Sequence, residues 1–168
     1  MSRRTERARR RLPWALLLIV CAGPLAALEP LEQFPRLALE IRGPGGRQWF
    51  DVAIADSAAR SEQGLMFVRT MPPDAGMLFP QRSPQVMSMW MKNTLIPLDM
   101  LFIDTRGRIV CLLERVPPLT FDIRSCAKPV KAVVEINGGE AERRGIRQGD
   151  RVYYTLPPAD ASKQQIGH

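Results

Sequence analysis

Hydrophobic and polar residues alternate with a period of two along much of the chain between Leu37 and Thr155, the pattern of half-buried strands. Residues 37–41 and 49–54 flank Gly43-Pro44-Gly45-Gly46, which predicts a hairpin. Asp56 is placed to cap a short helix over 57–63, with Gly64 as its stop. Residues 76–79 read as a short strand between Pro-rich loops. The clearest hairpin is 98–103 with 108–113, joined by Asp104-Thr105-Arg106-Gly107, where Gly107 suits the left-handed position of a type I turn with a bulge. After an irregular crossing at 117–129, residues 130–136 form a strand ending at Asn137-Gly138-Gly139. Residues 140–144 make one or two helical turns closed by Gly145, and 151–155 form a last strand. Seven or so short strands with two brief helices predict an all-β fold, a small sandwich or partly open barrel, rather than a parallel βαβ sheet.

The N-terminal pattern is different. Six Arg crowd the first eleven residues, and an apolar run from Leu12 ends on Pro24, Ala26 and Ala27. A basic region, a short apolar region and small residues beyond a helix breaker predict a secretory signal peptide over 1–27, cleaved after Ala27. A retained anchor would need roughly 20 unbroken apolar residues, and Pro24 interrupts this run. Residues 28–36 then read as a linker, 37–155 as one domain and 156–168 as a disordered tail. The expected location is periplasmic or secreted, with no membrane association after cleavage.

Charge follows the same division. The whole chain carries +7, but removing residues 1–27 takes away six Arg and one Glu and leaves +2. Nucleic acid is therefore excluded as a partner, because a phosphate-tracking surface needs its basic excess on the folded domain. The single His is residue 168, so no imidazole is placed for acid–base, triad or zinc chemistry, and no cofactor or metal is expected. Catalysis is the less favoured reading for that reason.

Export draws attention to Cys111 and Cys126, the only Cys beyond the leader. An even count in an oxidising compartment reads first as a disulfide, closing a loop of about fifteen residues worth on the order of 3 kcal/mol. Two buried thiols are the alternative; a redox pair would normally show the CxxC spacing that is missing here.

The segment 86–94 is the most unusual. As a strand it sets Met87, Met89 and Met91 on one face and Ser88, Trp90 and Lys92 on the other. The second face offers an aromatic surface beside a cation, Asn93 and Thr94 add an amide and a hydroxyl, and Asp99 brings a carboxylate. Trp90, Lys92, Asn93, Thr94 and Asp99 together form a candidate site for a small polar or anionic ligand. The same residues could instead satisfy one another, with Asp99 pairing Lys92. Seven of the eight Met fall between Met66 and Met100, which raises a Cu(I) site, but without His or short repeated clusters they read as core filling. Asp99 with Glu135 or Asp104 could supply paired carboxylates, though nothing in their spacing makes them converge.

These motifs also carry a resemblance. Gly64-Leu65-Met66, Gly76-Met77-Leu78-Phe79, Trp90-Met91-Lys92-Asn93-Thr94, Ile96-Pro97-Leu98-Asp99, Phe102-Ile103-Asp104, Val134-Glu135-Ile136-Asn137-Gly138-Gly139 and Gly149-Asp150 lie across residues 37–155. Together they resemble the signature of the prokaryotic domain-of-unknown-function family one-nine-two, whose members are often exported. The family commonly has an aromatic residue where Met89 stands. The resemblance implies a small, mainly β fold and a characteristic surface or pocket at Trp90, Lys92, Asn93, Thr94 and Asp99; it implies no activity.

The expected function is that of an exported, non-enzymatic accessory or small-ligand-binding domain whose partner is a small polar ligand or an envelope protein. One alternative is a hydrolase using Asp99 and Lys92 in a pocket. The other is a partner-binding module whose exposed sheet edge accepts a strand.

Overall fold

A computed structural model describes residues 28–158. The expected signal peptide, and the expected tail from residue 159 onward, lie outside the described residues.

Nine strands and two short helices follow one another as β1 (Arg36–Gly43), β2 (Gly46–Ile54), α1 (Ala58–Gln63), β3 (Ala75–Gln85), β4 (Ser88–Met89), β5 (Leu98–Ile103), β6 (Ile109–Val116), β7 (Arg124–Ser125), β8 (Val130–Asn137), α2 (Glu140–Arg144) and β9 (Arg151–Tyr153). Seven of them form one sheet in the order β6-β5-β8-β3-β2-β1-β9, while β4 and β7 make a separate two-stranded ribbon. The sheet curls into a half-barrel. Its edge strands meet where Arg108 bridges Arg151, with Val152 N–H donating to Gly107 O at 2.8 Å and Ile109 N–H to Asp150 O at 2.9 Å. The contact is a single bridge, so the curl stays partly open, within the small mainly-β class that the sequence predicts.

Both expected hairpins form: β1 pairs with β2 and β5 with β6, each antiparallel. One pair is parallel, β2 with β3, joined by a crossover that contains α1. Gly76 of β3 permits the close approach of β8, since a Cβ there would meet Glu135 O at 2.5 Å.

Strand parity divides the core in two. Leu39, Val52, Leu78, Leu101, Val134 and Val152 fill the inside of the curl. Met77, Phe79, Met100, Phe102 and Val133 project from the other face and are covered by the connections between strands. Both faces of the central strands are thus buried, which explains their near-continuous apolar sequences.

Two local expectations are corrected. Ser57 rather than Asp56 caps α1, accepting the Arg60 N–H at 3.2 Å, and Asp56 instead pairs with the Arg60 guanidinium at 2.7 Å. Residues 28–36, expected to be a linker, dock on the domain. Phe34 is buried in the outer cluster under the Arg60 guanidinium, which also binds Glu29, and Gln63 donates to the Glu29 carbonyl at 2.7 Å.

Candidate functional site

The outer core face is covered by two long connections. The first, between β3 and β5, was expected to be strand over much of 86–94, but only Ser88 and Met89 pair, with Ser125 and Arg124 of the second. The reason is the partner, which is a short stretch of the irregular crossing and not a full strand. Further bonds lace the two together: Met91 N–H donates to Thr120 O and Leu119 N–H to Thr94 O, each at 3.1 Å. Cys111 on β6 and Cys126 just after β7 sit at disulfide distance, with α-carbons 6.0 Å apart, so the crossing is stapled to the sheet.

Between this cover, the end of α1 and the sheet lies a cavity of about 140 Å³. Leu65, Met66, Phe79, Met87 and Met89 supply its apolar lining; Ser61, Lys92, Thr94 and Glu135 supply polar groups. Trp90 also lines it while remaining nearly half exposed. Gly64, at φ 50°, ends α1 and turns Leu65 and Met66 inward.

Glu135 stands at the floor. It lies on β8 between Met77 of β3 and Met100 of β5, both fully buried. Its residue is only 4% exposed, and burial pushes its carboxyl pKa up to about 8. Thr94, equally buried, lines the same space. At the mouth the Lys92 ammonium rests 5.4 Å from the centre of the Trp90 ring. Among the described residues, the Glu135 carboxyl, the Thr94 hydroxyl and the Lys92 ammonium have no hydrogen-bond or ion-pair partner.

Asn93 acts as a brace beside the cavity. Its backbone is left-handed, at φ 57°, a conformation that Asn tolerates better than most residues. Its carbonyl accepts the Phe67 N–H at 2.8 Å, and its amide reaches the Met66 sulfur at 3.8 Å. Phe67 and Leu119, at the ends of two of these bonds, are also left-handed, at 63° and 58°. Such non-glycine positions cost roughly 1 kcal/mol or more each, so the joints of the cover are held under strain.

Asp99 lies elsewhere. Parity places it on the inner face with Leu101 and Ile103, where it is fully buried. Its Oδ1 accepts the Arg115 N–H at 2.7 Å, both oxygens accept the Gly139 N–H at 2.9 Å, and Oδ2 accepts the Ala141 N–H at 2.8 Å. The structure therefore brings Trp90, Lys92 and Thr94 to the cavity, sets Asn93 behind it, and gives Asp99 to the start of α2. No ion pair joins Asp99 to Lys92.

A wider depression of about 880 Å³ lies across β1 and β9, between Trp49 and Tyr153. Of its two carboxylates, Asp104 accepts the Arg106 and Arg108 N–H groups, and Glu40 is held by Arg42 at 2.6 Å and Arg47 at 3.6 Å, chiefly the Arg42 hydrogen bond keeping the Glu40 pKa below the usual range. The smaller cavity is the one whose unpaired polar groups include a buried carboxyl.

The family model for DUF192, described as an uncharacterized ACR, matches residues 40–154. The chain belongs to the DUF192 family. Two solved structures are similar to this DUF192 domain. One, from Sinorhizobium meliloti 1021 and provisionally described as a transcription regulator, is 37% identical with a TM-score of 0.70, covering 72% of this chain and 95% of its own. The other, a protein of unknown function from Novosphingobium aromaticivorans DSM 12444, is 34% identical with a TM-score of 0.72, covering 79% of this chain and 94% of its own. Comparison with curated proteins gives no match.

Glu135 is the residue of this DUF192 domain that sequence reasoning undervalued. Alternation with Ala132, Val134 and Ile136 puts it on the more polar face of its strand. No local signal marks it as buried: alternation groups it with Lys131, Val133 and Asn137, and only the cover packed on this face encloses it.

Proposed function

We propose that this domain is an exported, non-catalytic binder of a small polar ligand, held in the cavity beneath Trp90. The observation that carries the reading is the convergence of Lys92, Thr94 and Glu135 on one cavity without protein partners. Glu135 and Thr94 are buried as residues, yet both line the cavity without a protein partner, so a ligand's polar groups can bond them beside a cation. Export is supported by the Arg-rich leader with its apolar run and by the Cys111–Cys126 pair.

The alternatives draw less support. A hydrolase built on Asp99 and Lys92 needs a carboxylate free to react, and both Asp99 oxygens already accept backbone N–H groups. Strand addition needs a free edge, and the edge strands are narrowed by the Arg108–Arg151 bridge and by Cys111, which ties β6 to the crossing. Regulation of transcription belongs to the description of the Sinorhizobium protein; the charge of +2 beyond residue 27 gives it no help here.

Native mass spectrometry of the protein recovered from an oxidising compartment tests the proposal. It should show a chain beginning at Leu28 and a small-molecule adduct that Lys92→Met and Thr94→Val together abolish. An adduct-free wild type that stays so after incubation with envelope metabolites would speak against the binding reading, and an intact leader would speak against export.

A further inference from the structure

Granting the ligand-binding reading, the buried Glu135 and the half-buried Lys92 of the cavity lining define what it takes. We infer that the ligand is a small zwitterion, a short amino acid whose ammonium binds Glu135 and whose carboxylate binds Lys92. A cavity near 150 Å³ accommodates a benzene ring, so about 140 Å³ limits the ligand to roughly six to eight heavy atoms. The stem between its charged ends would lie against Leu65, Met66 and Phe79.

The charges require both ends. A simple anion would pair with Lys92 but offer no donor of positive charge to the Glu135 carboxyl that lines the same cavity. A simple amine would satisfy Glu135 but bring a second cation into the cavity that Lys92 lines. No ion pair joins Lys92 to Glu135, so neither group is spent on the other. Thr94 adds a hydroxyl that serves either end.

The surroundings of Glu135 also fix how binding depends on pH. Across the strands it faces Met77 and Met100, which carry no charge. On its own strand face the next charged side chain is Lys131, whose ammonium donates to the Arg82 carbonyl at 2.7 Å. Lys92 from the cover and the exposed Glu62 of α1 are the other charged groups that line the cavity. With a carboxyl pKa of about 8, Glu135 is mostly protonated in the empty site at pH 7. Binding an ammonium converts the carboxylic acid to carboxylate and releases its proton to the buffer, so affinity rises with pH until Glu135 ionises unaided.

Isothermal titration of the intact protein with glycine, alanine, β-alanine and γ-aminobutyrate, in two buffers of different ionisation enthalpy, tests this directly. Propylamine and propionate serve as half-ligands. At least one amino acid should bind tenfold or more tightly than either half-ligand, release close to one proton at pH 7, and gain several-fold in affinity from pH 6 to 7. Glu135→Gln should remove the proton release and the pH dependence without lowering the melting temperature. Propionate binding as tightly as the best amino acid, or amino-acid binding indifferent to pH and to Glu135→Gln, would overturn the zwitterion. Failure of all four amino acids would overturn it too. A different metabolite that still stabilised the wild type, but not the Lys92→Met and Thr94→Val variant, would then leave the binding reading standing.

Discussion

Asp99 and Ala141 are joined by a buried hydrogen bond of 2.8 Å, the Ala141 N–H donating to Oδ2 across 42 residues of sequence. With the bonds from Arg115 and Gly139, it lets one carboxylate tie β5 to β6 and to the start of α2. Asp99→Ala leaves three backbone donors without their acceptor, and hydrogen bonds to charged groups contribute about 1.5–3 kcal/mol each. The expected loss is on the order of 4 kcal/mol, seen as a melting temperature lower by roughly 10 °C or more. Unchanged melting would show that the carboxylate does not anchor the fold.

The cover of the cavity depends on Cys111 and Cys126. Replacing both by Ser should cost about 3 kcal/mol, the entropy of a loop of fifteen residues. Hydrogen exchange should rise first in the crossing between β6 and β8, which the bridge ties to the sheet. Two free thiols in the folded, oxidised protein would contradict the bridge.

Leu101 and Lys92 separate fold from site. Leu101 is fully buried inside the curl, so Leu101→Ala should cost roughly 2–5 kcal/mol. Lys92 has no ion pair to lose, and Lys92→Ala should cost about 1 kcal/mol or less. Asn93→Ala belongs between them, because it places Ala at φ 57° and removes the amide from Met66. Thermal denaturation of the three variants checks the order.

Glu135 makes stability depend on pH. Its folded pKa of about 8 lies above the ordinary value of 4.5, so the folded state holds a proton that the unfolded state gives up. The contribution is fully present below pH 4.5 and is lost as pH rises through 8, a change on the order of 5 kcal/mol. Glu135→Gln should flatten this part of the curve and melt higher than the wild type at pH 8.5. Parallel curves for the two proteins would place the proton elsewhere.

How much of this was legible beforehand depended on whether the cause was local. The hairpin of β5 and β6 follows from a turn chemistry that its sequence displays: Gly107 at φ 75° and Asp104 accepting the N–H groups of Arg106 and Arg108. Gly145 ends α2 for the same kind of reason. The role of Asp99 left no such trace, because its partners are backbone groups brought together by the fold. The parallel pairing of β2 with β3 and the pairing of Ser88 with Ser125 join segments far apart in the chain, and neither pattern nor propensity encodes them. In the site, alternation placed Trp90 and Lys92 side by side, whereas Glu135 came within reach only through the packing of β8 under the cover.

The central claim is that the cavity beneath Trp90 holds a ligand through Lys92, Thr94 and Glu135. Its most direct test is differential thermal unfolding of the wild type and of a Lys92→Met, Thr94→Val variant against a library of polar metabolites of up to about ten heavy atoms. The account predicts that at least one compound raises the melting temperature of the wild type by several degrees and leaves the variant unchanged. Equal responses of the two proteins to every compound would contradict it.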